Sequence, residues 1–485
     1  MNILVFTGFS GFTQRTHAMC KLIKNENPES KITKLVYGRE NFNFLRKHNE
    51  SLYEEIICIE DLIDDLYNNK KNFSQEEIDL IESKIDHSLT HIAYCERTLV
   101  QHTSNLAYSR RFSQSEIINQ ICGIVKFVES YVINNDIIYA YTCASPVSEA
   151  LYYFSKRYKK RFITPFETRL DYRWSLIDNN RDFHPQILDF YKKGIITKEG
   201  KEIINSFTAK LNNNIKNEIE SNFQKAIIAD KQLNLKNITR FLFNLLKSNK
   251  SQSFIHPNKF QIILKNIKII FTTKMEHFYL KNELPKEKYI YLPLSLIPEA
   301  SLLIRGLKYY DTLSFIKSIS AEIPFGFKLV VREHPSMAGR NDISFYREVS
   351  KIFNVHLISY KVNPHKVLKK SDAIITVTGS TGFEAASIGK KVILFGHPIY
   401  SMINTIYKVD DISDLGDVLR RKWTLENVKQ QEIEVFKYGS AVISGTSIRD
   451  NEKILWTKES RNEDILKIDR EIYKEFNRIV KKINK

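Results

Sequence analysis

Glycine and proline are scarce in this chain, at 16 and 12 of 485 residues. A barrel or sandwich of many short strands needs a tight turn every few residues, and those turns draw on glycine and proline. Their scarcity points to a helix-rich α/β protein. Cysteine is also sparse. Cys20, Cys58, Cys95, Cys122 and Cys143 are odd in number, scattered, and never spaced C-x-x-C. That excludes a disulfide framework and a cysteine-based zinc module, and fits reduced thiols in a cytoplasmic protein. No apolar run approaches the length that spans a bilayer. The opening MNILVFTGFSGF has neither the basic start nor the long apolar centre of a secretion signal, so a cytoplasmic protein is expected. Acidic residues are outnumbered, 56 against 73 lysines and arginines, giving a net charge of +17. Hydrophobic residues make up 42%, enough for real cores.

The basic balance has three readings: solvated lysines from compositional bias, an enzyme at an anionic membrane surface, or a nucleic-acid binder. The last lacks support, because zinc spacing, RNP-like strands and arginine-rich arms are all missing. No nucleic-acid partner is expected.

What is present is a repeated alternation of apolar strand-like runs and helical stripes. Ile3 to Phe6, followed by Gly8 and Gly11, opens a βα unit, though two glycines alone are a weak phosphate signal. Ile117, Ile121, Ile124, Val125, Val128 and Val132 recur at helical spacing, Ile137 to Tyr141 reads as a strand, and Ser145-Pro146 starts the next helix. Strand signals fade over 179–256, an Asn- and Lys-rich stretch read as a helical insertion in or at the edge of the first domain, with a stripe at Ile238, Phe241, Leu242, Leu245 and Leu246. From Tyr289 the alternation resumes through Phe395. Such regularity predicts two Rossmann-like, doubly wound parallel domains facing a cleft: an N-terminal domain over 1–270, a C-terminal one over 271–455, and a terminal amphipathic helix over 456–485. That helix carries the stripe Ile465, Ile468, Ile472, Phe476, Ile479 and Ile483, read as docked on the body, with a membrane-surface helix as the alternative.

Two strand-to-loop junctions carry the chemistry. Strand 329–331 ends at Arg332-Glu333-His334-Pro335, where Pro335 biases His334 to an extended backbone. Strand 373–378 ends at Gly379-Ser380-Thr381-Gly382 and opens a helix through Glu384. Such a junction presents hydroxyls, backbone N–H groups and a positive dipole end to an anion. The glycines permit close approach and unusual backbone angles. The bland alternative is a turn with an N-cap. Glu384 has two readings, a ribose acceptor or a dipole complement. The spacing leaves open whether Arg332 or His334 reaches a ligand.

Residues 291–399 resemble bacterial capsule and surface-polysaccharide glycosyltransferases, the group that includes the Kdo transferases. The resemblance rests on PLSLIPEAS (293–301), VVREHPSMAGR (330–340) and TVTGSTGFEAASIGKKVILFG (376–396), with FETRLDYRWSLIDNN (166–180) as a fainter fourth segment. Arg332 stands where the family pattern has lysine and Ser295 where it has histidine. The resemblance implies a GT-B fold, a nucleotide-sugar donor such as CMP-Kdo, a glycan or glycolipid acceptor and work at the inner face of the cell membrane. It implies that His334 and Ser380 or Thr381 hold the donor phosphate, beside Arg332, Gly379, Gly382 and Glu384. No Asp-x-Asp occurs at a strand end, so no obligatory metal and no cofactor are expected. The reaction needs a carboxylate facing the cleft. Glu167 and Asp171 are four apart, on one face if that segment is helical, although either can equally pair with Arg169 or Arg173. Glu299 is the third candidate. Two other readings stay open: a sugar-nucleotide epimerase on the same scaffold, and a non-catalytic nucleotide-sugar-binding component.

Overall fold

In the computed structural model the described residues are 1–8, 10–69, 71–96, 112–141, 145–179, 183–212, 259–297, 299–449 and 463–481. The stripe at 238–246 and Cys143 lie outside them. The strands are β1 (Asn2–Thr7), β2 (Lys31–Val36), β3 (Glu55–Cys58), β4 (Ile137–Ala140), β5 (Arg161–Glu167), β6 (Arg173–Asp178), β7 (Tyr289–Pro293), β8 (Lys328–Arg332), β9 (Val355–Ile358), β10 (Ala373–Thr376), β11 (Lys391–Leu394), β12 (Tyr407–Lys408) and β13 (Ile448–Arg449). They form two sheets, as the alternation predicts.

The second sheet has six strands in the order β12-β11-β10-β7-β8-β9, and every pairing is parallel. Numbered from its own first strand this is 3-2-1-4-5-6, the doubly wound order, with its switch point between β7 and β10. Its strands are apolar on both faces. Leu329, Val330 and Val331 of β8 and Ile374 and Ile375 of β10 are all fully enclosed, as a sheet covered by helices on both sides requires.

The first sheet has seven strands, β13-β6-β5-β4-β1-β2-β3. It is parallel from β3 to β5 and antiparallel at β5/β6 and β6/β13. The expected all-parallel sheet therefore fails at one edge. The segment FETRLDYRWSLID makes a hairpin there, because Trp174, Leu176 and Ile177 return alongside β5. The N-terminal caps behave as read: Ser145 accepts from the Ser148 N–H, with Pro146 at the first helical position.

Two boundaries shift. The helix Lys259–Glu276 runs through position 270, and Glu276 accepts from the Gly339 N–H of the second unit (2.8 Å). At the other end β13, expected in the second domain, pairs with the first sheet, and the helix Glu463–Lys481 packs beside it. The described part of the insertion is helical, Pro185–Lys192 and Lys198–Asn212; His184 bonds Ser175 of β6, and both helices lie against the helix Leu425–Gly445. Gly200 explains the closeness: a Cβ there would sit 2.0 Å from Ser440 Oγ.

The terminal helix docks by its apolar stripe. Ile472, Tyr473, Phe476 and Ile479 enter the core formed by Ile3, Val5, Ile137, Tyr139, Trp174 and Leu176. Glu475 is buried with them at 4% exposure, and its Oε1 accepts from Arg478 Nη2 (3.2 Å). Burial pushes its carboxyl up from 4.5 to about 7, against the opposing pull of Arg478. A carboxyl raised in the folded state contributes stability that is full below about 4.5 and lost as pH rises through about 7. Glu475→Gln is expected to flatten this dependence and to add about 2–3 kcal/mol at pH 8. Thermal unfolding of both proteins across pH 4–9 checks it (~5 points suffice); equal pH slopes would refute it.

Candidate functional site at the carboxyl rim of the second sheet

Because β7 lies between β8 and β10, the loops after β8 and β10 are separated by two strand spacings, about 10 Å. Both leave the carboxyl rim beside the switch point, where open α/β sheets bind ligands. The sequence places the two motifs only as separate junctions; the strand order brings them to one place.

Arg332 and His334 then part company. Arg332 is 6% exposed, and its guanidinium donates to the carbonyls of Tyr360 (Nη2, 2.6 Å) and Val362 (Nε, 3.1 Å). It ties the β8 end to the loop after β9. His334 is half-buried in the extended conformation that Pro335 favours (φ −68°, ψ 135°). Its Nδ1 accepts from the Ser336 N–H (3.1 Å), capping the short turn Pro335–Met337. A neutral ring accepting at Nδ1 carries its hydrogen at Nε2, so His334 offers a donor on its other side.

Beneath this turn sits a buried acidic pair. The Tyr346 hydroxyl lies 2.8 Å from Glu333 Oε1 and 2.9 Å from Glu276 Oε2. Burial raises the Glu276 pKa, against the hydrogen bonds it accepts from the Gly339 N–H and Tyr346. Asn341 Nδ2 also donates to Glu333 (2.6 Å). The loop is completed by Gly339, with φ +69° and a Cβ position 2.0 Å from Thr273 Oγ1, a place only glycine fits.

The β10 loop departs from a plain N-cap. Ser380 precedes the helix Thr381–Ser387 with helical angles and makes no capping bond; its Oγ donates to Glu384 Oε1 (3.1 Å). The other Glu384 oxygen faces His365 Nε2 at 3.7 Å. Gly379 and Gly382 are absent from the positive-φ residues, so their expected unusual angles are not found. Close approach explains them: added Cβ atoms would lie 2.9 Å from Thr376 Oγ1 and 2.5 Å from Tyr400 Oη. The Tyr400 hydroxyl donates to the Gly379 carbonyl and fixes the loop. The helix is only seven residues long, so its dipole is modest and the N–H and hydroxyl groups matter more.

The three carboxylate candidates separate. Glu299 begins the helix Ala300–Arg305 after β7, without a side-chain capping bond, and so lies on the rim between the two loops. Glu167 and Asp171 are not on a helix. Glu167 ends β5, and residues 168–172 turn into β6, held by Thr168 Oγ1 donating to the Arg173 carbonyl (2.7 Å). Glu167 is largely exposed, with its carboxylate 4.0 Å from Arg169, the ion pair allowed from sequence. Arg169, Asp171 and Tyr172 all have positive φ (62°, 51°, 53°), a concentration of backbone strain in non-glycine residues that needs support from packing. That support comes from the second unit. Leu170 is fully enclosed in a core with Phe383, Tyr400 and Tyr438, and the Tyr438 hydroxyl donates to the Thr168 carbonyl (2.8 Å). The hairpin tip thus presses on the second unit, and the Arg169 charge bears on both Tyr400 and Tyr438. Sequence reading gave Arg169 only a pairing role and missed Tyr400 and His365, since each acquires its place through tertiary contact.

Among the described residues one grouping could hold a metal: His91, Cys95 and Glu149 bring ligand atoms within 4.8 Å of one another. Cysteine spacing could not show it, because Glu149 arrives from a distant helix. The acidic Glu60-Asp61 pair is engaged by the Arg39 backbone and side chain. No helix among the described residues is long and apolar enough to cross a membrane.

Residues 205–405 match the family model described as capsule polysaccharide biosynthesis protein. The capsule polysaccharide modification protein LipA of Neisseria meningitidis serogroup B is 31% identical over 71 residues, 15% of this chain and only 10% of that relative's length. Among solved structures, the Thermosulfurimonas dismutans KpsC beta Kdo 2,4 transferase aligns over 63% of this chain and 79% of its own, at 14% identity and TM-score 0.34. The Neisseria meningitidis UDP-GlcNAc 2-epimerase aligns over 91% and 98%, at 12% identity and TM-score 0.29. With scores this low, the fold rests on the two sheets described above. The matched stretch holds Glu299, His334 and the whole Gly379–Glu384 loop, and over it this chain is similar to the capsule polysaccharide biosynthesis family.

Proposed function

We propose that this protein is a glycosyltransferase that moves a sugar from a nucleotide donor, CMP-Kdo or a similar compound, to a growing capsule or surface glycan at the inner face of the cell membrane. One observation carries the reading: the His334 and Gly379–Gly382 loops share the carboxyl rim at the switch point of a 3-2-1-4-5-6 sheet. In this reading the donor phosphate lies between them. His334 Nε2–H, the Ser380 and Thr381 hydroxyls and the N–H groups opening the helix take up negative charge as the bond from the anomeric carbon to the phosphate oxygen breaks. The acceptor hydroxyl oxygen forms the new bond to that carbon, and its proton passes to a carboxylate. Glu299 is poised beside the donor loops; Glu167 and Asp171 would act from the facing hairpin. In this reading the N–H and hydroxyl donors serve where a metal would otherwise stand.

Thermal unfolding with CMP-, UDP- and GDP-sugars tests the reading. A donor at a hundred times its Kd should stabilise by about 2.7 kcal/mol. Product analysis with the stabilising donor then separates transfer from epimerisation. If no nucleotide sugar shifts unfolding, the reading is wrong. Replacing Glu299, Glu167 and Asp171 singly by the amide is expected to cost one of them about 10²–10⁴ in kcat and the others far less.

A further inference from the structure

A cavity lies beside the segment that joins β11 to β12. It has a volume of about 350 Å³, small among ligand pockets but within their range, and its polar wall is formed by Tyr191, Lys192, Asn404, Lys408, Glu434 and Lys437. Three elements meet there: the helix Pro185–Lys192, the loop after β11, and the helix Leu425–Gly445.

The wall is basic. Glu434 is 2% exposed and already committed: it accepts from Tyr191 Oη and from Lys437 Nζ (2.7 Å). Tyr191 Oη in turn accepts from the Asn404 N–H (3.0 Å). These bonds fix the floor and neutralise its one acidic group. Lys192 and Lys408 are exposed at the mouth, and among the described residues neither has an ion-pair partner. Two solvated ammonium groups over a rigid, polar, neutralised floor favour an anion that also carries hydroxyls.

The cavity is coupled in position to the donor loops. Tyr400 holds the Gly379 carbonyl, and Asn404 follows it by four residues, so their Cα atoms are at most about 15 Å apart. We propose that this pocket is the acceptor subsite, holding a carboxylate- or phosphate-bearing sugar unit of the glycan through Lys192 and Lys408. The assignment rests on the transferase reading and adds the chemical class of its acceptor.

The test measures binding of three oligosaccharides of equal length by calorimetry: one of carboxylated sugars, one linked by sugar phosphates, and one neutral. Wild type is compared with Lys192→Gln, Lys408→Gln and the double variant, with CMP binding followed in parallel. One anionic oligosaccharide should bind and the neutral one should not. Each lysine lost should weaken binding about ten-fold, and added salt should weaken it in wild type. Which anionic probe binds tells carboxylate from phosphate. Equal binding of the neutral oligosaccharide, or unchanged anionic binding in the double variant, overturns the proposal. CMP binding without any oligosaccharide binding removes the subsite and leaves the transferase reading. Lysine-dependent anionic binding without any nucleotide binding does the reverse.

Discussion

Replacing His334 with asparagine is expected to weaken binding of the nucleotide donor by ten- to a hundred-fold while leaving folding stability within about 0.5 kcal/mol of wild type. The asparagine oxygen can still accept from the Ser336 N–H, as His334 Nδ1 does, so the turn keeps its cap. What disappears is the donor at Nε2. Arg332→Ala should behave oppositely. It leaves the buried carbonyls of Tyr360 and Val362 without their partner, at about 1–3 kcal/mol each. Its effect belongs in the denaturation midpoint, with affinity changing only as the loop loosens. Urea titrations and CMP binding on the two variants separate these outcomes. If His334→Asn binds CMP as tightly as wild type, His334 is structural; if Arg332→Ala loses affinity at unchanged stability, the guanidinium reaches the ligand.

The second large effect is expected from one methyl group. In Gly382→Ala the new carbon would lie 2.5 Å from Tyr400 Oη and 3.0 Å from Thr376 Cγ2. Tyr400 is fully enclosed and cannot swing away. Either it is displaced and releases the Gly379 carbonyl, or the loop moves off the rim. Overpacking costs about 1–3 kcal/mol, and the lost hydrogen bond about 1 kcal/mol more. Nucleotide affinity should fall with it, because the loop geometry is what the tyrosine holds. Gly326→Ala is the control. It too is glycine to alanine, at φ +92°, but nothing lies within 4 Å of the added carbon, so it should cost only the backbone strain of about 1–2 kcal/mol and leave affinity alone. Equal urea midpoints and equal affinities for the two variants would refute the packing account.

Those contrasts mark what could be read in the sequence. The strands of the second unit were legible because buried parallel strands are short apolar runs bounded by turn residues, and Ser145 announced its helix by capping chemistry. The two strand-to-loop junctions were legible for the same reason. Arg332 was not, since sharing a strand face with His334 says nothing about the carbonyls of 360 and 362 that claim it. The hairpin at 167–173 was not legible, because a spacing of four between Glu167 and Asp171 fits a helix equally well. The decisive facts are tertiary: the pairing of Glu167 with Trp174 and the burial of Leu170 in the second unit. Of the two reasons offered for the glycines, close approach holds and unusual backbone angles do not.

The return of β13 to the first sheet also orders events during synthesis. The outer edge of β6 waits for a partner encoded roughly 270 residues later. At about 5–20 residues per second, a ribosome needs on the order of 15–50 s to supply it. Through that interval the nascent first unit presents an unpaired strand edge and, until the helix Glu463–Lys481 emerges, the bare apolar patch around Trp174 and Tyr139. Chaperone demand should therefore persist from the synthesis of β6 until the helix Glu463–Lys481 emerges.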